Sequence, residues 1–264
     1  MITVENLGLQ YGGQVLFNQV DLQFTRGNCY GIIGANGAGK STFLKILSGE
    51  VESTNGHIYI DPKARMSVLK QNQSMYDDYP VLETVIMGNM KLYECGKEKD
   101  AIYEKEDFTD EDGIRASELE GEFAELGGWE SESDASKLVQ GLGLSEDLLY
   151  VSMGDLTEAE KIKVLLARAL FGQPEIILLD EPTVGLDPET EQGVLETIME
   201  ATAGKTLVMV AHHLQGIDAF DRVVFLEDGR LELDGSPAAL AATSERYRTL
   251  LAFDGLAVPT PPRR

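Results

Sequence analysis

The sequence predicts an α/β fold with a mostly parallel sheet at its core, an antiparallel β region at the amino terminus and a helical subdomain. Three observations predict it. From residue 29 onward, strand-length apolar runs alternate with helix-length segments, the pattern of a parallel sheet whose chemistry sits at the strand carboxyl ends. The apolar run "CYGIIG" leads through a glycine-rich turn straight into the helix-like "KSTFLKILSG", giving strand, loop, helix. Between about Pro80 and Gly143 the β-like runs stop, and residues 94–136 hold 16 acidic against four basic side chains, a composition of solvated helices.

Taken in order, "ITVENLGLQ" and "QVLFNQVDLQF" read as the opening strands, followed by the strand, loop and helix above. "NGHIYID" and "RMSVLKQ" read as further strands, the first introduced by an Asn-Gly turn and the second ended by Gln71. After the acidic helices come a helix over "AEKIKVLLARALF", a strand over "EIILLD", a helix from Pro188, a strand over "TLVMVA" and a β-rich end, "DRVVFLEDGRLELDG". These elements predict one domain over residues 1–253, with the helical subdomain at about 80–171. The tail 254–264, which ends in "LAVPTPPRR", is proline-rich and polar and is expected to be flexible. The sequence has no internal repeat and therefore no second copy of the loop.

A length of 264 residues supports a substantial core in one large domain. The net charge of −23 excludes long non-specific contact with nucleic acid or anionic membrane, which depends on Lys and Arg neutralising phosphates. Two cysteines make no disulfide framework, and Cys29 lies on a buried-strand pattern, so both are expected as reduced thiols. The amino terminus has neither a basic start nor an apolar signal core, and no apolar run reaches the ~20 residues a membrane span needs, so the expectation is a cytoplasmic protein without direct membrane insertion.

"GANGAGKST", Gly34 to Thr42, matches the phosphate-loop pattern in the context that pattern requires, after an apolar strand and opening a helix. A chance match to its four fixed positions in a chain of this length is roughly one in a hundred at average composition. Gly34, Gly37 and Gly39, with Asn36 between them, let backbone N–H groups approach phosphate oxygens, and the helix amino terminus adds partial positive charge. Lys40 is expected to reach the β/γ-phosphates and Ser41, beside Thr42, to hold Mg²⁺. In "IILLDEP", four apolar residues bury a strand that ends in Asp180 and Glu181. Strand alternation would turn one carboxylate toward a metal shell and the other toward an attacking water. Acids at a strand end also serve as ordinary caps, so the pair gains its meaning from the loop.

With these landmarks in order, residues 1–250 resemble an ATP-binding cassette ATPase, a P-loop NTPase of the ABC type using ATP and Mg²⁺. The resemblance implies that Tyr11 stacks on adenine, and that Gln71 joins metal and water. It further implies that Asp180 holds Mg²⁺ through water, that Glu181 orients or deprotonates the attacking water, and that His212 contacts the γ-phosphate. Asp187 would cross to a partner subunit. Simpler roles stand beside these: a core aromatic for Tyr11, a strand terminator for Gln71, and a helix cap before Pro188 for Asp187. His57 is expected to be structural on a turn and His213 a surface neighbour. No second His or Cys pair stands at zinc-ligand spacing.

Residues 1–183 resemble the amino-terminal cassette of the ABC-F proteins, cytosolic factors that act on ribosomes. "YGGQVLFNQVDLQF", "GANGAGKSTFLKILSGE", "VLETVIMGNMKLYE", the acidic run "KDAIYEKEDFTDEDGIRASELEGEFAELGGWESES" and "LTEAEKIKVLLARALFGQPEIILLDEPT" carry that likeness. From about Val184 the chain is instead similar to the end of an exporter's nucleotide-binding domain, especially half-exporters of thiol export and cytochrome bd assembly. "VGLD" stands where an ABC-F protein shows "N-x-LD". The change suggests a recombined or chimeric chain joined inside "DEPTVGLD", against one divergent cassette that mixes features. The resemblance implies an ABC-F-like ATPase closing as a transient homodimer or with a partner cassette, with the ribosome as partner. The alternative is a subunit energising a transporter through a membrane permease.

Cassettes of this family aim the signature helix of one subunit at the γ-phosphate bound by the other. "DLTEAEK", Asp155 to Lys161, occupies that place, and Thr157 would make the phosphate contact, but Glu158 and Ala159 replace a glycine and a small polar residue. Thr157 and Glu160 form a Thr-x-x-Glu capping box, so the helix itself is expected to form. A carboxylate ~5 Å from one phosphate charge costs about 3 kcal/mol at an effective dielectric of ~20. The sequence therefore predicts intact nucleotide binding, weakened closure and slow or absent turnover.

Overall fold

The computed structural model describes residues 1–69, 73–211 and 216–256; the side chains of Tyr11, Gln14, Gln73, Pro188 and Glu189 lie outside the description. The chain divides into two units, residues 1–69 with 174–264, and residues 70–173.

In the first unit, β1 (Ile2–Tyr11) pairs antiparallel with β2 (Gln14–Phe24) on one side and β4 (Asn55–Ile60) on the other. The expected Asn-Gly turn is not a turn. Asn55 and Gly56 lie within β4, where the register slips between the pairs Glu5 with His57 and Gly8 with Asn55. Gly56 has φ +81°, and a Cβ there would lie 2.3 Å from the Asn6 carbonyl oxygen, so the dipeptide makes a bulge. His57 is accordingly an exposed strand residue rather than a turn residue.

The central sheet has the order β5-β6-β7-β3-β8-β9, formed by β3 (Cys29–Ile33), β5 (Met66–Val68), β6 (Ile176–Asp180), β7 (Thr206–Val210), β8 (Arg222–Glu227) and β9 (Arg230–Gly235). All neighbours are parallel except β8 and β9, which form a hairpin. β3 and β7 are buried at every position, as strands covered on both faces must be, which explains their uninterrupted apolar runs. Parallel pairing brings the carboxyl ends of β3 and β6 to the same edge, on either side of β7. α1 (Lys40–Leu47) follows β3 and buries Phe43, Leu44, Ile46 and Leu47 in a core shared with Phe17, Phe24, Ile32, Leu178 and Val208. α7 (Pro188–Ala201) follows β6. α8 (Pro237–Thr243) and α9 (Glu245–Phe253), which the sequence reading did not assign, close the described chain.

The second unit is helical: α2 (Val81–Ile86), α3 (Met90–Tyr103), α4 (Asp110–Glu125), α5 (Ser131–Gly141) and α6 (Glu158–Leu170). α3 and α4 enclose a small core of Cys95, Ile102, Ala116 and Leu119 while most of their acidic residues are exposed. Both cysteines are free and buried. No described helix is long and apolar enough to cross a membrane. The turn after α2 meets α6 at Gly88, where a Cβ would lie 2.0 Å from the Arg168 carbonyl oxygen. Gly121, inside α4, meets nothing within 4 Å.

Gly88→Ala must therefore push the turn after α2 away from α6 and should lower the unfolding free energy by about 1–3 kcal/mol. Gly121→Ala should raise it by roughly 0.5–1 kcal/mol through helix propensity. Chemical denaturation of both variants checks the pair, and an unchanged Gly88→Ala midpoint would contradict the packing.

Candidate functional site

The loop between β3 and α1 is shaped by one close approach. Gly34 has φ +155°, and a Cβ on it would sit 2.1 Å from the carbonyl oxygen of Leu226 in β8, so only glycine fits. Gly39 caps α1 with φ +92°, and Phe43 N–H returns to its carbonyl at 2.8 Å. Between them Ala38 N–H donates to the Ala35 carbonyl at 3.1 Å, Asn36 is exposed, and the exposed Gly37 has φ +82°. The result is a backbone ring at a helix amino terminus, where N–H groups and dipole favour an anion.

Lys40 is only 5% exposed although it carries an ammonium. Its Nζ donates to the carbonyls of Gly34 at 2.9 Å and Ala35 at 3.1 Å, so the side chain folds along its own loop. Burial lowers its pKa, while the charges of Glu181 and Asp180 work in the opposite direction and favour the ammonium. Ser41, the next residue, donates through Oγ to Asp180 Oδ1 at 3.0 Å, which joins α1 to the end of β6. Burial raises the Asp180 pKa, as does the neighbouring Glu181 charge, whereas the Ser41 bond and the charges of Lys45 and Lys40 lower it. A hydroxyl and a carboxylate at hydrogen-bond distance beside a phosphate-sized loop form a hard oxygen donor set, which suits Mg²⁺ with its waters. Thr42 is half-buried on the following position.

Glu181 does not continue the alternation expected of the strand. β6 ends at Asp180, and Glu181 takes φ +51°, a left-handed conformation that costs a non-glycine residue roughly 1–2 kcal/mol. Its N–H is held by the Val210 carbonyl at 3.1 Å, at the end of β7. The chain then turns twice: Val184 N–H donates to the Glu181 carbonyl and Leu186 N–H to the Thr183 carbonyl, each at 3.2 Å. Asp187 is exposed and caps α7, accepting from Thr190 N–H at 3.1 Å ahead of Pro188. The cap reading of Asp187 is thus realised.

The structure brings the loop, Lys40, Ser41, Asp180 and Glu181 into one electrostatic cluster. Gln71, His212, His213, the Tyr11 side chain and the tail 257–264 lie outside the described residues. The sequence reading passed over Lys45, whose charge acts on Asp180. Its spacing of four from Ser41 on the same helix was a usable signal. It had no signal for the two carbonyls, of Leu226 and Val210, that shape Gly34 and Glu181.

Within the helical unit, α6 begins at Thr157 with the expected capping box: Glu160 N–H donates to Thr157 Oγ1 at 3.3 Å, and Thr157 N–H to Glu160 Oε2 at 2.8 Å. Thr157 Oγ1 also donates to Glu160 Oε2 at 2.7 Å, and these bonds hold the Glu160 carboxyl below its usual range. Glu158 and Ala159 are exposed. Lys161, 7% exposed, donates to Asp77 Oδ1 at 2.8 Å; that bond, with the charges of Asp77 and Glu158, raises its pKa.

A glycine loop at a parallel-strand end, a buried lysine over it, a serine joined to a strand-terminal aspartate and a glutamate beside them define a P-loop nucleotide-binding domain. The chain belongs to the ATP-binding cassette family: the family model described as ABC transporter matches residues 17–184, and the domain is an ATPase whose ligands are ATP and Mg²⁺. Among its relatives is the "Uncharacterized ABC transporter ATP-binding protein YkpA" of Bacillus subtilis, 56% identical over 212 residues, covering 80% of this chain and 39% of that protein. "Glutathione/L-cysteine transport system ATP-binding/permease protein CydD" of the same organism is 32% identical over 255 residues, covering 91% of this chain and 38% of that protein. The chain thus spans about two fifths of these curated relatives. The fold is shared with the dimeric cassette MJ0796, solved in a post-hydrolysis state with ADP and Pi, at TM-score 0.67 and 22% identity over 89% of this chain and 98% of that one.

Removing the Ser41 hydroxyl should weaken metal retention more than nucleotide contact. Ser41→Ala is expected to require at least ~10-fold more Mg²⁺ for half-maximal ATP turnover, the scale of one lost hydrogen-bonding ligand. A magnesium titration of steady-state hydrolysis measures this, and an unchanged half-saturation would remove Ser41 from the metal site.

Proposed function

We propose that this cassette binds Mg-ATP on the Gly34–Thr42 loop and hydrolyses it when two cassettes close on the nucleotide. The carrying observation is the convergence of Lys40, Ser41, Asp180 and Glu181 at the ends of β3 and β6. Lys40 neutralises phosphate charge, and Ser41 and Asp180 hold the metal. Glu181, turned out of the strand, orients the attacking water and accepts its proton. Gln71 and His212 complete the γ-phosphate shell, Tyr11 stacks on the adenine, and Asp187 and Thr157 reach the nucleotide's other side across the dimer.

The energy drives a transporter. Two of the relatives bear transport descriptions, one of them a thiol transport system that carries its own permease, and these support a permease partner rather than the ribosome expected from the ABC-F likeness. Stimulation of turnover by a co-expressed permease in membranes supports this reading; ATP-dependent co-sedimentation with ribosomes, without such stimulation, contradicts it.

Closure is the weak step. Glu158 is an exposed carboxylate in the first turn of α6, and Lys161, a cation whose charge interacts with it, is already bound to Asp77. The charge is therefore incompletely neutralised where a partner's γ-phosphate would approach, and turnover is slow.

Glu181→Gln should retain ATP binding and lose at least ~10²-fold in turnover, the usual scale for a positioned acid–base group. Turnover equal to the parent would show that Glu181 is not the base. In that ATP-trapping background, Glu158→Gly should strengthen dimerisation and Glu158→Asp should not. Sedimentation velocity with Mg-ATP at low and high salt reads the difference, since screening weakens an exposed repulsion. No gain from the glycine at either salt concentration would mean that Glu158 does not oppose closure.

A further inference from the structure

The segment between Glu181 and Asp187 joins two residues to which the proposed mechanism gives different tasks, and its conformation is not one the backbone would choose alone. It starts in a left-handed residue and contains Gly185 at φ +85°. On the sheet side it is fastened by Glu181 N–H to the Val210 carbonyl. On the helix side it is fastened by a side chain: Thr183 Oγ1 donates to Glu191 Oε1 at 2.7 Å. Glu191 is itself fixed one turn into α7, where its N–H donates to the Asp187 carbonyl at 2.8 Å. The bond from Thr183 to Glu191 thus closes a loop of chain that contains Asp187, and Glu181 lies two residues before its first anchor.

The geometry points to Glu191 as a positioning residue for ATP hydrolysis: by accepting from Thr183, its carboxylate sets the turn from which Glu181 is presented to the attacking water. The inference rests on the proposed role of Glu181. Among the described residues Glu191 makes its side-chain hydrogen bond with Thr183, and it acts through that residue. A charged acceptor makes a stronger bond to a hydroxyl than a neutral one, but the amide oxygen of glutamine at the same place is still an acceptor. Glu191 also borders a cavity of about 520 Å³ with Gln192, Leu195, Met199 and Phe220, so shortening its side chain enlarges an existing space instead of emptying a packed core.

The test compares steady-state turnover and equilibrium ATP binding in Glu191→Gln, Glu191→Ala, Thr183→Val and the double variant Thr183→Val with Glu191→Ala. Glu191→Ala is expected to lower kcat by roughly 10-fold with ATP affinity within about twofold, the loss an interaction felt only at the transition state produces. Glu191→Gln should recover to within about threefold of the parent. Thr183→Val, which removes the hydroxyl but keeps the branched shape, should match Glu191→Ala and gives the same reading if the alanine variant fails to fold. The double variant should be no slower than either single one, because both remove the same bond.

An unchanged kcat in Glu191→Ala, a glutamine variant as slow as the alanine, or additive losses would overturn the inference. Glu181→Gln is run alongside. If it loses turnover while Glu191→Ala does not, positioning fails and the base stands. If it turns over as fast as the parent, the base reading itself has failed, and the inference falls with it.

Discussion

The site depends on one buried cation. The Lys40 residue is buried at the start of α1 with its ammonium partly buried, and a charge in that position needs compensating groups around it or it destabilises the fold. The compensation comes from the loop carbonyls of Gly34 and Ala35 and from the charges of Asp180 and Glu181 at the neighbouring strand end. Those groups can converge only if the loop passes against β8 closely enough to exclude a side chain at Gly34. The parallel order of β6, β7 and β3 then brings the acids to the same edge.

From that cluster the order extends outward along the backbone. Ser41 and Asp180 tie the first helix to β6, and Val210 at the end of β7 holds Glu181 in a conformation it would otherwise leave. Asp187 begins α7 with its side chain on the Thr190 amide. In the helical unit a separate set of charges fixes the start of α6: Thr157 and Glu160 satisfy its first amides, and Lys161 joins it to Asp77. The first turn of the helix is therefore satisfied by the chain's own side chains. Glu158 lies exposed in that first turn and takes no part in the capping bonds.

Local chemistry was legible in the sequence and long-range chemistry was not. The apolar runs of β3, β6 and β7 were readable because both sheet faces are covered, and the Thr157–Glu160 box because its partners are three residues apart. The bulge at Gly56 read as a turn, since an Asn-Gly pair carries the same left-handed signal whether or not the facing Asn6 carbonyl leaves room for a Cβ. The left-handed Glu181 depends on a carbonyl in another strand, and the Lys161–Asp77 pair spans 84 residues, so neither had a local signature. α8 and α9 had only modest signals in Ser236 with Pro237, and in Ser244, which cap them.

The most direct test of the central claim is an equilibrium titration of Mg-ATP into the purified chain and into Lys40→Ala. If the buried ammonium is the cation of a phosphate site, the parent binds at micromolar nucleotide and the alanine variant, still folded by circular dichroism, shows no detectable binding in that range. A folded Lys40→Ala with unchanged affinity would contradict the account, because the loop would then be a strand-to-helix turn with a structural lysine.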